Sequence, residues 1–367
     1  MKKVKTAVLG CTGLVGRQFV RLLEDHPFFA LSCLTASARS TGRLYGETTG
    51  DDGIPACGIQ AARLPVREST ATAVGQSGAR VVFSALPAAV ASPLESELRR
   101  GGMFVFSNAS AMRMDPGVPL LIPEVNADHL ELARGQLREY TGFIVANPNC
   151  VVSGLALALM PLMAFAPRSV TVTTFQAVSG AGRRGVASWD ILGNVVPFIA
   201  GEEEKIARET QKILGRLQGT HIESCALEIL PSCSRVPVRE GHLQSVSVEF
   251  RKAVAVELLA ASLSAFRSQP QRLALPTAPR RPIILLAGTD RPQPLLDANA
   301  GEPARARGMA VSVGRLRVSG KRCSFFLLVH NTVRGAAGGS VLNAELAVRK
   351  NFLSGVGPLV GALQSDD

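Results

Sequence analysis

Residues 5–16, Lys5-Thr6-Ala7-Val8-Leu9-Gly10-Cys11-Thr12-Gly13-Leu14-Val15-Gly16, carry the sequence signal that decides the fold. The apolar run before Gly10 indicates a β-strand, and the spacing of Val15 and Phe19 beyond it indicates a helix. Glycines spaced G-x-x-G-x-x-G permit a tight turn and let the backbone approach a pyrophosphate, which then lies on the helix N-terminus. This order predicts a dinucleotide site, with a plain glycine-rich turn as the minor alternative. The predicted contacts are Gly10, Thr12, Gly13, Leu14, Val15 and Gly16.

The alternation of strands and helices continues through the first half of the chain. Further strand-like runs are found at 31–36, 81–86, 103–107 and 142–146, which predicts a mostly parallel, doubly wound α/β sheet. In the second half, longer runs with β-branched residues and partial alternation indicate a mixed sheet with one covered face. These runs are 169–176, 243–250, 309–318 and 323–330. Helices are expected at 201–214, 253–267 and 338–352, and a loop is expected at 268–282. A chain of 367 residues is long enough for two domains.

Charge and composition narrow the classes of partner. A net charge of +11 suggests an anionic ligand, and clustered Lys and Arg would suggest nucleic acid. The chain has one Trp and two Tyr for stacking on bases, and its basic residues are scattered. We therefore predict a small-molecule substrate and no nucleic-acid partner. Because no apolar run approaches the ~20 residues of a membrane span and no signal peptide is evident, we expect a cytoplasmic protein without a membrane partner. The seven cysteines show no paired C-x-x-C spacing, so no metal site is predicted.

The segment after the second predicted strand indicates which dinucleotide binds. An NAD site usually has a carboxylate here for the ribose 2′-hydroxyl, whereas NADP requires positive charge and hydroxyl donors. This segment contains Ser37, Arg39 and Ser40, and no acidic residue occurs before Glu47. NADP is therefore predicted, with these three residues on its 2′-phosphate; a solvated polar loop is the alternative.

The sequence Asn147-Pro148-Asn149-Cys150 places a thiol where the run 142–146 ends and an apolar helical stretch, 151–165, begins. A cysteine there lies near the positive end of a helix dipole, which favours thiolate over thiol. The same geometry directs backbone N–H groups at a carbonyl that the sulfur attacks. We therefore predict that Cys150 is a nucleophile; the alternative is a small buried apolar residue.

Further motifs follow in order along nearly the whole chain. Besides 10–16 and 147–150, they occupy 36–42, 107–114, 123–126, 176–182, 201–205, 235–242 and 331–338. With these motifs, the chain resembles the aspartate-semialdehyde dehydrogenase family, in the branch common in archaea and fungi. The resemblance implies a Rossmann-like doubly wound NADP-binding domain at 1–149, completed by a C-terminal helix at 335–367. It also implies an α+β catalytic and dimerisation domain with a mixed sheet at 150–334, in a homodimer or homotetramer.

The implied reaction is the reversible, NADP-dependent reductive dephosphorylation of L-4-aspartyl phosphate to L-aspartate 4-semialdehyde. It belongs to the biosynthesis of lysine, threonine and methionine. By resemblance, Cys150 attacks the acyl carbon and forms a thioester, which is then reduced by hydride. His242 is the implied acid/base, because an imidazole with a pKa of ~6.5 titrates near the operating pH. Gln176 is implied to orient the acyl intermediate.

Counter-groups for each charge of the substrate are also implied. The resemblance assigns Arg235 to the α-carboxylate, which a guanidinium can bind through two oxygens, and Glu202 to the α-ammonium. Arg113 and Lys205 are assigned to phosphate, and Asn149 belongs to the same substrate-binding set. Residues implied to line the nicotinamide end of the cofactor site are Ser84, Leu86, Pro87, Ser179, Gly180, Gly182 and Asn331.

Without the resemblance, most of these residues have simpler interpretations. Glu202 and Lys205 would form a solvated i, i+3 pair, the arginines would be surface residues, and His242 would be structural. The nearest competing functions are other acyl reductases on the same scaffold, namely malonyl-CoA reductase and N-acetylglutamyl-phosphate reductase. The joint presence of Glu202, Lys205, Arg113 and Arg235 favours the amino acid phosphate. A non-catalytic NADP-binding sensor is the alternative from another class, and it would need neither Cys150 nor His242.

Overall fold

The structure, a computed structural model, describes residues 3–48 and 57–353. Its first sheet has six parallel strands: β1 (Val4–Leu9), β2 (Phe29–Ala36), β3 (Val66–Glu68), β4 (Val81–Ser84), β5 (Phe104–Ser107) and β6 (Phe143–Ala146). The order across the sheet is β3-β2-β1-β4-β5-β6, so the direction of winding reverses between β1 and β4. In doubly wound sheets a ligand crevice lies at the carboxyl ends of the strands at this switch point.

The second half supplies the remaining strands: β7 (Pro167–Gln176), β8 (Arg216–Gln218), β9 (His221–Glu223), β10 (Glu228–Arg235), β11 (His242–Phe250), β12 (Ile283–Leu286), β13 (Val311–Ser319) and β14 (Arg322–Val329). Six of them form a mixed sheet in the order β10-β7-β11-β14-β13-β12, and β8 pairs with β9. The buried positions of β11 alternate regularly with half-buried ones. This pattern confirms the predicted sheet with one well-covered face.

The α-helices connect and cover these sheets. In chain order they are α1 (Leu14–Leu23), α2 (Tyr45–Thr48), α3 (Ile59–Ala62), α4 (Ala71–Gln76), α5 (Ala88–Arg100), α6 (Pro123–Asn126), α7 (Leu132–Glu139), α8 (Cys150–Leu159), α9 (Ser188–Ile191), α10 (Glu202–Ile213), α11 (Val256–Ala265), α12 (Gln269–Arg272), α13 (Pro294–Asp297) and α14 (Gly338–Arg349). Short 3-10 helices span Ala38–Ser40, His129–Glu131, Met160–Phe165, Val178–Ala181 and Ala304–Ala306, and a π-helix spans Val333–Ala337.

Both faces of the first sheet are covered. Ala7 and Leu9 of β1 belong to the apolar cluster that contains α8 and the inner face of the second sheet. Val8 points to the other side, into a cluster with α1 and α14. This burial on both faces explains why β4, β5 and β6 are almost entirely apolar. All residues of α8 after Cys150 are buried, so the helix that carries the predicted nucleophile is held inside the protein.

A buried ion pair holds the two halves of the chain together near the start of α8. Arg334, in the π-helix, donates Nη1 and Nη2 to the two carboxylate oxygens of Glu124 in α6, at 2.7 and 2.8 Å. The side chains are 2% and 0% exposed. Removing either partner would leave an uncompensated buried charge, which typically costs ~3–5 kcal/mol.

The sequence-based prediction lacks the strands β3, β8, β9 and β12, and three further segments also differ from it. The stretch 151–165, expected to be one helix, divides into α8 and a 3-10 helix, because Pro161 has no N–H to continue the α-helical ladder. The expected loop 268–282 contains α12, whose capping box joins Ser268 and Gln271. Strand β10 is absent from the prediction because it contains Pro231, which disfavours a strand but is tolerated at the edge position that β10 occupies.

The domain boundary between residues 149 and 150 and the cytoplasmic location of the protein stay predictions. Residues 354–367 of the predicted C-terminal helix lie outside the described residues. No helix within 3–48 and 57–353 is long and apolar enough to cross a membrane.

Candidate active site

A cavity of about 430 Å³ lies where the glycine loop, the start of α8 and the ends of β7 and β10 meet. It brings together residues that are far apart in the sequence, including Cys150, Gln176, Glu202 and Arg235. Other predicted site residues on its wall are Gly13, Leu14, Val15, Arg113, Asn149, Ser179, Gly180, Gly182, Lys205 and Asn331. The cavity therefore joins the predicted dinucleotide loop to the predicted nucleophile.

The turn before α8 fixes Cys150. Asn149 caps the helix, because its side-chain Oδ1 accepts the backbone N–H of Val151 at 2.8 Å. On the other side, a Cβ atom on Gly335 would lie 2.7 Å from Cβ of Cys150, so the π-helix packs directly on the cysteine. A glycine is required at residue 335 because any side chain there would displace the nucleophile.

The helix N-terminus is not the largest influence on the pKa of Cys150. Burial raises the pKa of the thiol to about 12, and the negative charge of Glu202 adds to this effect. Arg113 and Arg235 act in the opposite direction. A helix terminus contributes typically ~0.3–1 kcal/mol, less than one pKa unit, whereas burial shifts pKa values by up to ~3–5 units. Desolvation therefore outweighs the dipole, and Cys150 is a thiol at neutral pH.

His242 begins β11 and is fully buried. Its Nδ1 accepts the backbone N–H of Ala177 at 3.0 Å, and a backbone N–H can only donate. The neutral ring must therefore carry its proton on Nε2, which has no hydrogen-bond partner among the described residues. Burial lowers the pKa of His242 to about 3, with further contributions from Arg235 and His330. The imidazole is therefore neutral at neutral pH and offers an N–H donor, although the sequence suggested a group that titrates near the operating pH.

Glu202, at the start of α10, organises the polar side chains next to Cys150. Its Oε1 accepts Nδ2 of Asn149 at 2.9 Å and Nε2 of Gln176 at 3.1 Å. Gln176 also donates to Oγ1 of Thr174 at 3.3 Å. The side chains of Asn149 and Gln176 are thus oriented by contacts within the protein, which prepares the site before a substrate arrives.

The predicted anion anchors surround the same space. Arg235 is 8% exposed, and its Nη1 donates to the carbonyl of Ala177 at 2.8 Å. A Cβ atom on Gly180 would lie 2.7 Å from Nη1 of Arg235 and 3.3 Å from Nε2 of His242. Gly180, predicted as a cofactor contact, therefore packs on the predicted clamp and acid/base. Lys205, one turn after Glu202, also lines the cavity.

Sequence reasoning missed several residues of the site. Arg183, Asn108 and Gly335 line the cavity, and Glu209 contacts both Arg113 and the backbone of Asn149. A sequence signal for Glu209 exists: an acidic residue occupies the apolar stripe of α10, two turns after Glu202.

The glycine loop has the geometry that a pyrophosphate requires. Gly10 has φ +74°, and a Cβ atom on Gly16 would clash with the carbonyl of Gly10, so helix and turn approach as closely as glycine allows. Within the described loop, α1 starts without a side-chain cap or an acidic residue in its first turn. Its N-terminal N–H groups are therefore oriented toward the cavity end where an anion would be stabilised.

The other predicted cofactor residues fall into four places. Ser37 and Arg39 are exposed and Ser40 is partly exposed after β2, around the 3-10 helix Ala38–Ser40. Leu86 and Pro87 precede α5, and Leu86 lies against Gly10. Ser84 is fully buried at the end of β4, away from the cavity wall. Asn331 holds two loops together: it accepts Gly241 N–H at 2.9 Å and donates to Oγ of Ser179 at 2.8 Å.

Across the described part of the chain, no group of three or more His, Cys, Asp or Glu side chains is arranged to hold a metal ion.

The rate of alkylation of Cys150 should depend on pH as expected for a thiol with a raised pKa. Its reaction with iodoacetamide is expected to accelerate about tenfold per pH unit up to roughly pH 10, because the reactive thiolate fraction grows until the pH reaches the pKa. Mass spectrometry of the peptide that contains Cys150 measures the rate. A cysteine in an unstructured peptide is the control and should level off near its pKa of ~8.5. If Cys150 levels off at or below the control, the helix dipole outweighs burial.

Comparisons with known proteins agree with this architecture. Two family models match: "Semialdehyde dehydrogenase, NAD binding domain" at residues 5–133 and "Semialdehyde dehydrogenase, dimerisation domain" at residues 159–334. An aspartate-semialdehyde dehydrogenase of Archaeoglobus fulgidus is 43% identical over 96% of this chain and 100% of its own length. A malonyl CoA reductase (NADP) of Metallosphaera sedula is 37% identical over 96% of this chain and 99% of its own.

A solved structure of aspartate semialdehyde dehydrogenase with NADP from Candida albicans superimposes with a TM-score of 0.85 at 35% identity, covering 95% of this chain and 99% of the other. The similarity thus extends over both halves of the chain. The chain belongs to the aspartate-semialdehyde dehydrogenase family of oxidoreductases.

Proposed function

We propose that this chain catalyses the reversible, NADP-dependent reductive dephosphorylation of L-4-aspartyl phosphate to L-aspartate 4-semialdehyde through a thioester on Cys150. The observation that carries the proposal is one cavity in which a thiol is surrounded by Arg113, Arg235 and Glu202. Two guanidinium groups and a carboxylate match the phosphate, α-carboxylate and α-ammonium of this substrate. Such a product serves the biosynthesis of lysine, threonine and methionine.

In the proposed first step, Sγ of Cys150 forms a bond to the acyl carbon while the bond from that carbon to the phosphate oxygen breaks. Phosphate leaves with the electron pair and takes up the thiol proton, so the step is balanced without a separate base. This suits a resting thiol, since burial raises its pKa to about 12. Arg113, with Lys205 nearby, would stabilise the charge on the departing phosphate.

NADP fits the residues present, because the glycine loop offers φ +74° at Gly10 and an uncapped start of α1. The chemistry that NADPH supplies when bound is hydride transfer to the acyl carbon. The role of His242 then follows from its tautomer, because its Nε2–H can donate to the acyl oxygen, where negative charge develops. When the carbon–sulfur bond breaks, the carbonyl double bond re-forms, sulfur keeps the electron pair and takes up a proton from solvent, and the aldehyde is released. Gln176, held by Glu202 at 3.1 Å, would orient the acyl group.

A second candidate function is reduction of an acyl-CoA. It is favoured by the 37% identity to a malonyl CoA reductase (NADP). That substrate has no α-ammonium for Glu202 to bind, whereas aspartyl phosphate has one.

A spectrophotometric assay separates the two candidates. The chain is expected to form NADPH from NADP with aspartate semialdehyde and phosphate, and to oxidise NADPH poorly with malonyl-CoA. Cys150→Ala should keep the thermal midpoint but lose essentially all turnover, because the acyl group has no nucleophile. Cys225→Ala, a partly exposed cysteine outside the cavity, is the control and should remain active. Substantial turnover in Cys150→Ala would contradict the thioester mechanism, and preference for malonyl-CoA would favour the second candidate.

Preference for NADP is proposed to depend on Arg39, which is exposed just after β2. Arg39→Ala should weaken NADP binding by ~1.5–3 kcal/mol, the energy of a hydrogen bond to a charged group, and leave NAD binding nearly unchanged. Calorimetric titration with both dinucleotides measures the difference. Arg138→Ala removes an exposed charge elsewhere and controls for net charge. Equal losses for NADP and NAD would mean that Arg39 supports the loop instead.

We also infer that the chain forms a homodimer or larger homo-oligomer through an apolar surface near the edge strand β10. Trp189, Phe198 and Leu230 are 95%, 69% and 64% exposed. The segment that carries Trp189 and Phe198 bridges to β10 between Val196 and Arg235. Large exposed apolar groups beside a sheet edge are typical of an interface. The family model for this half of the chain is named a dimerisation domain.

Light scattering should give a mass of at least twice 38.7 kDa. The double variant Trp189→Ser, Phe198→Ser is expected to approach a single-chain mass, because it removes the largest apolar groups of this surface. Leu295→Ser is the control, since Leu295 is 93% exposed but lies in α13, outside the proposed interface. A wild-type mass of one chain, or no effect of the double variant, would refute this surface as the interface.

A further inference from the structure

Helix α10 contributes buried charged residues to the site beyond Glu202, with which it begins. Glu202, Glu209 and Lys212 lie on its buried face, with exposures of 7%, 2% and 4%. Spacings of seven and three residues place the three side chains along one side of a helix. Charged side chains are rarely buried to this extent unless each has a specific partner, so their partners indicate what the helix does.

Glu209 joins two parts of the site with one carboxylate. Its Oε2 accepts the backbone N–H of Asn149, the residue before the nucleophile, at 2.6 Å. Its Oε1 accepts Nη1 of Arg113, the proposed phosphate anchor, at 3.0 Å. The position of Arg113 relative to Cys150 is therefore defined through a single side chain.

Arg113 is held on its other side as well. Its Nη2 donates to the carbonyl of Asn108 at 2.8 Å. Nε is buried and lacks a hydrogen-bond partner in the ranges that the structure describes. Two nitrogens fix the guanidinium, and each of them keeps a second N–H for an anion in the cavity that Arg113 lines.

Lys212 fixes the backbone that carries Arg113. Its ammonium donates to the carbonyls of Arg113, Asp115 and Val118 at 2.8, 2.8 and 3.1 Å, so all three N–H donors are used. Lys212 thus fixes the main chain of Arg113, and Glu209 orients its side chain.

We propose that Glu209 is a positioning residue for the reaction, which aligns Arg113 with Cys150 and limits the positive charge that Arg113 presents to phosphate. This inference rests on the proposed function. An arginine with undiminished charge would bind acyl phosphate and released phosphate equally well, which favours binding without favouring turnover. An arginine paired with a carboxylate and locked in place stabilises the departing phosphate and still releases it.

The two roles can be separated by two substitutions. Glu209→Gln removes the charge at nearly the same size. We expect kcat to fall roughly 10- to 100-fold through misalignment, while the apparent KM for phosphate falls about two- to fivefold because Arg113 loses its counter-charge. Glu209→Asp keeps the charge but is too short to reach both partners, so kcat should fall with little change in the KM for phosphate. If Glu209 had only a structural role, kcat and the KM for phosphate would not fall together in Glu209→Gln, and the two variants would not differ in their KM for phosphate.

Turnover with aspartate semialdehyde, phosphate and NADP gives kcat and KM, and the thermal midpoint reports folding. Glu204→Gln is the matched control on the same helix, because Glu204 forms an exposed pair with Arg208 and should leave all parameters unchanged. In an Arg113→Ala background, Glu209→Gln should no longer lower the KM for phosphate, since the two residues act together. Wild-type kcat in Glu209→Gln, or the same fall in KM with and without Arg113, would overturn the proposal.

A second measurement needs no turnover. Inorganic phosphate should protect Cys150 from iodoacetamide, and half-protection should require about two- to fivefold less phosphate in Glu209→Gln than in wild type. If this shift is seen but wild type does not oxidise aspartate semialdehyde, the proposed function fails, and only the control of phosphate binding at Arg113 by Glu209 stands. If wild type is active and neither shift is seen, the inference fails alone. If Glu209→Gln does not fold, Glu209→Asp decides by its kcat, and a wild-type value there would overturn the proposal.

Discussion

The site depends on the way two buried carboxylates of α10 hold Asn149. Glu202 accepts the side-chain amide of Asn149 and Glu209 accepts its backbone N–H, at 2.9 and 2.6 Å. Asn149 in turn caps α8, so one residue joins two helices at the point where Cys150 begins the second of them. Since α8 is buried along its length, a shift of this turn would move the helix against both sheets.

Burial then sets the protonation states around the nucleophile. It raises the pKa of Cys150 to about 12 and lowers that of His242 to about 3, so both groups are neutral at neutral pH. The cavity wall instead carries the fixed charges of Arg113, Arg235 and Glu202, and the buried Glu209 pairs with Arg113. Such a site presents oriented dipoles and charges to a charged substrate without a preformed thiolate. This fits a reaction in which the leaving phosphate takes the electron pair of the broken bond and the proton of the thiol.

Strands that the sequence marks by apolar runs were predicted correctly. The strands β1, β2 and β4 to β6 were predictable because strands of a parallel sheet, buried on both faces, are mostly apolar. Elements whose composition opposes their conformation were missed, as with Pro231 in β10, tolerated because the strand has a neighbour on one side only. The role of Glu209 was missed because its position in the apolar stripe of α10 indicates burial but not the partners that it contacts.

By itself, the sequence determined the fold class, the glycine loop, the nucleophile candidate and the family, because these depend on local spacing and on ordered motifs. Only the tertiary structure decided the chemistry of the groups. The tautomer of His242 follows from Ala177, 65 residues away, and the orientation of Arg113 follows from Glu209, 96 residues away. Desolvation and hydrogen-bond partners arise from packing between distant segments, and these, more than residue type, set the pKa values and orientation of buried groups.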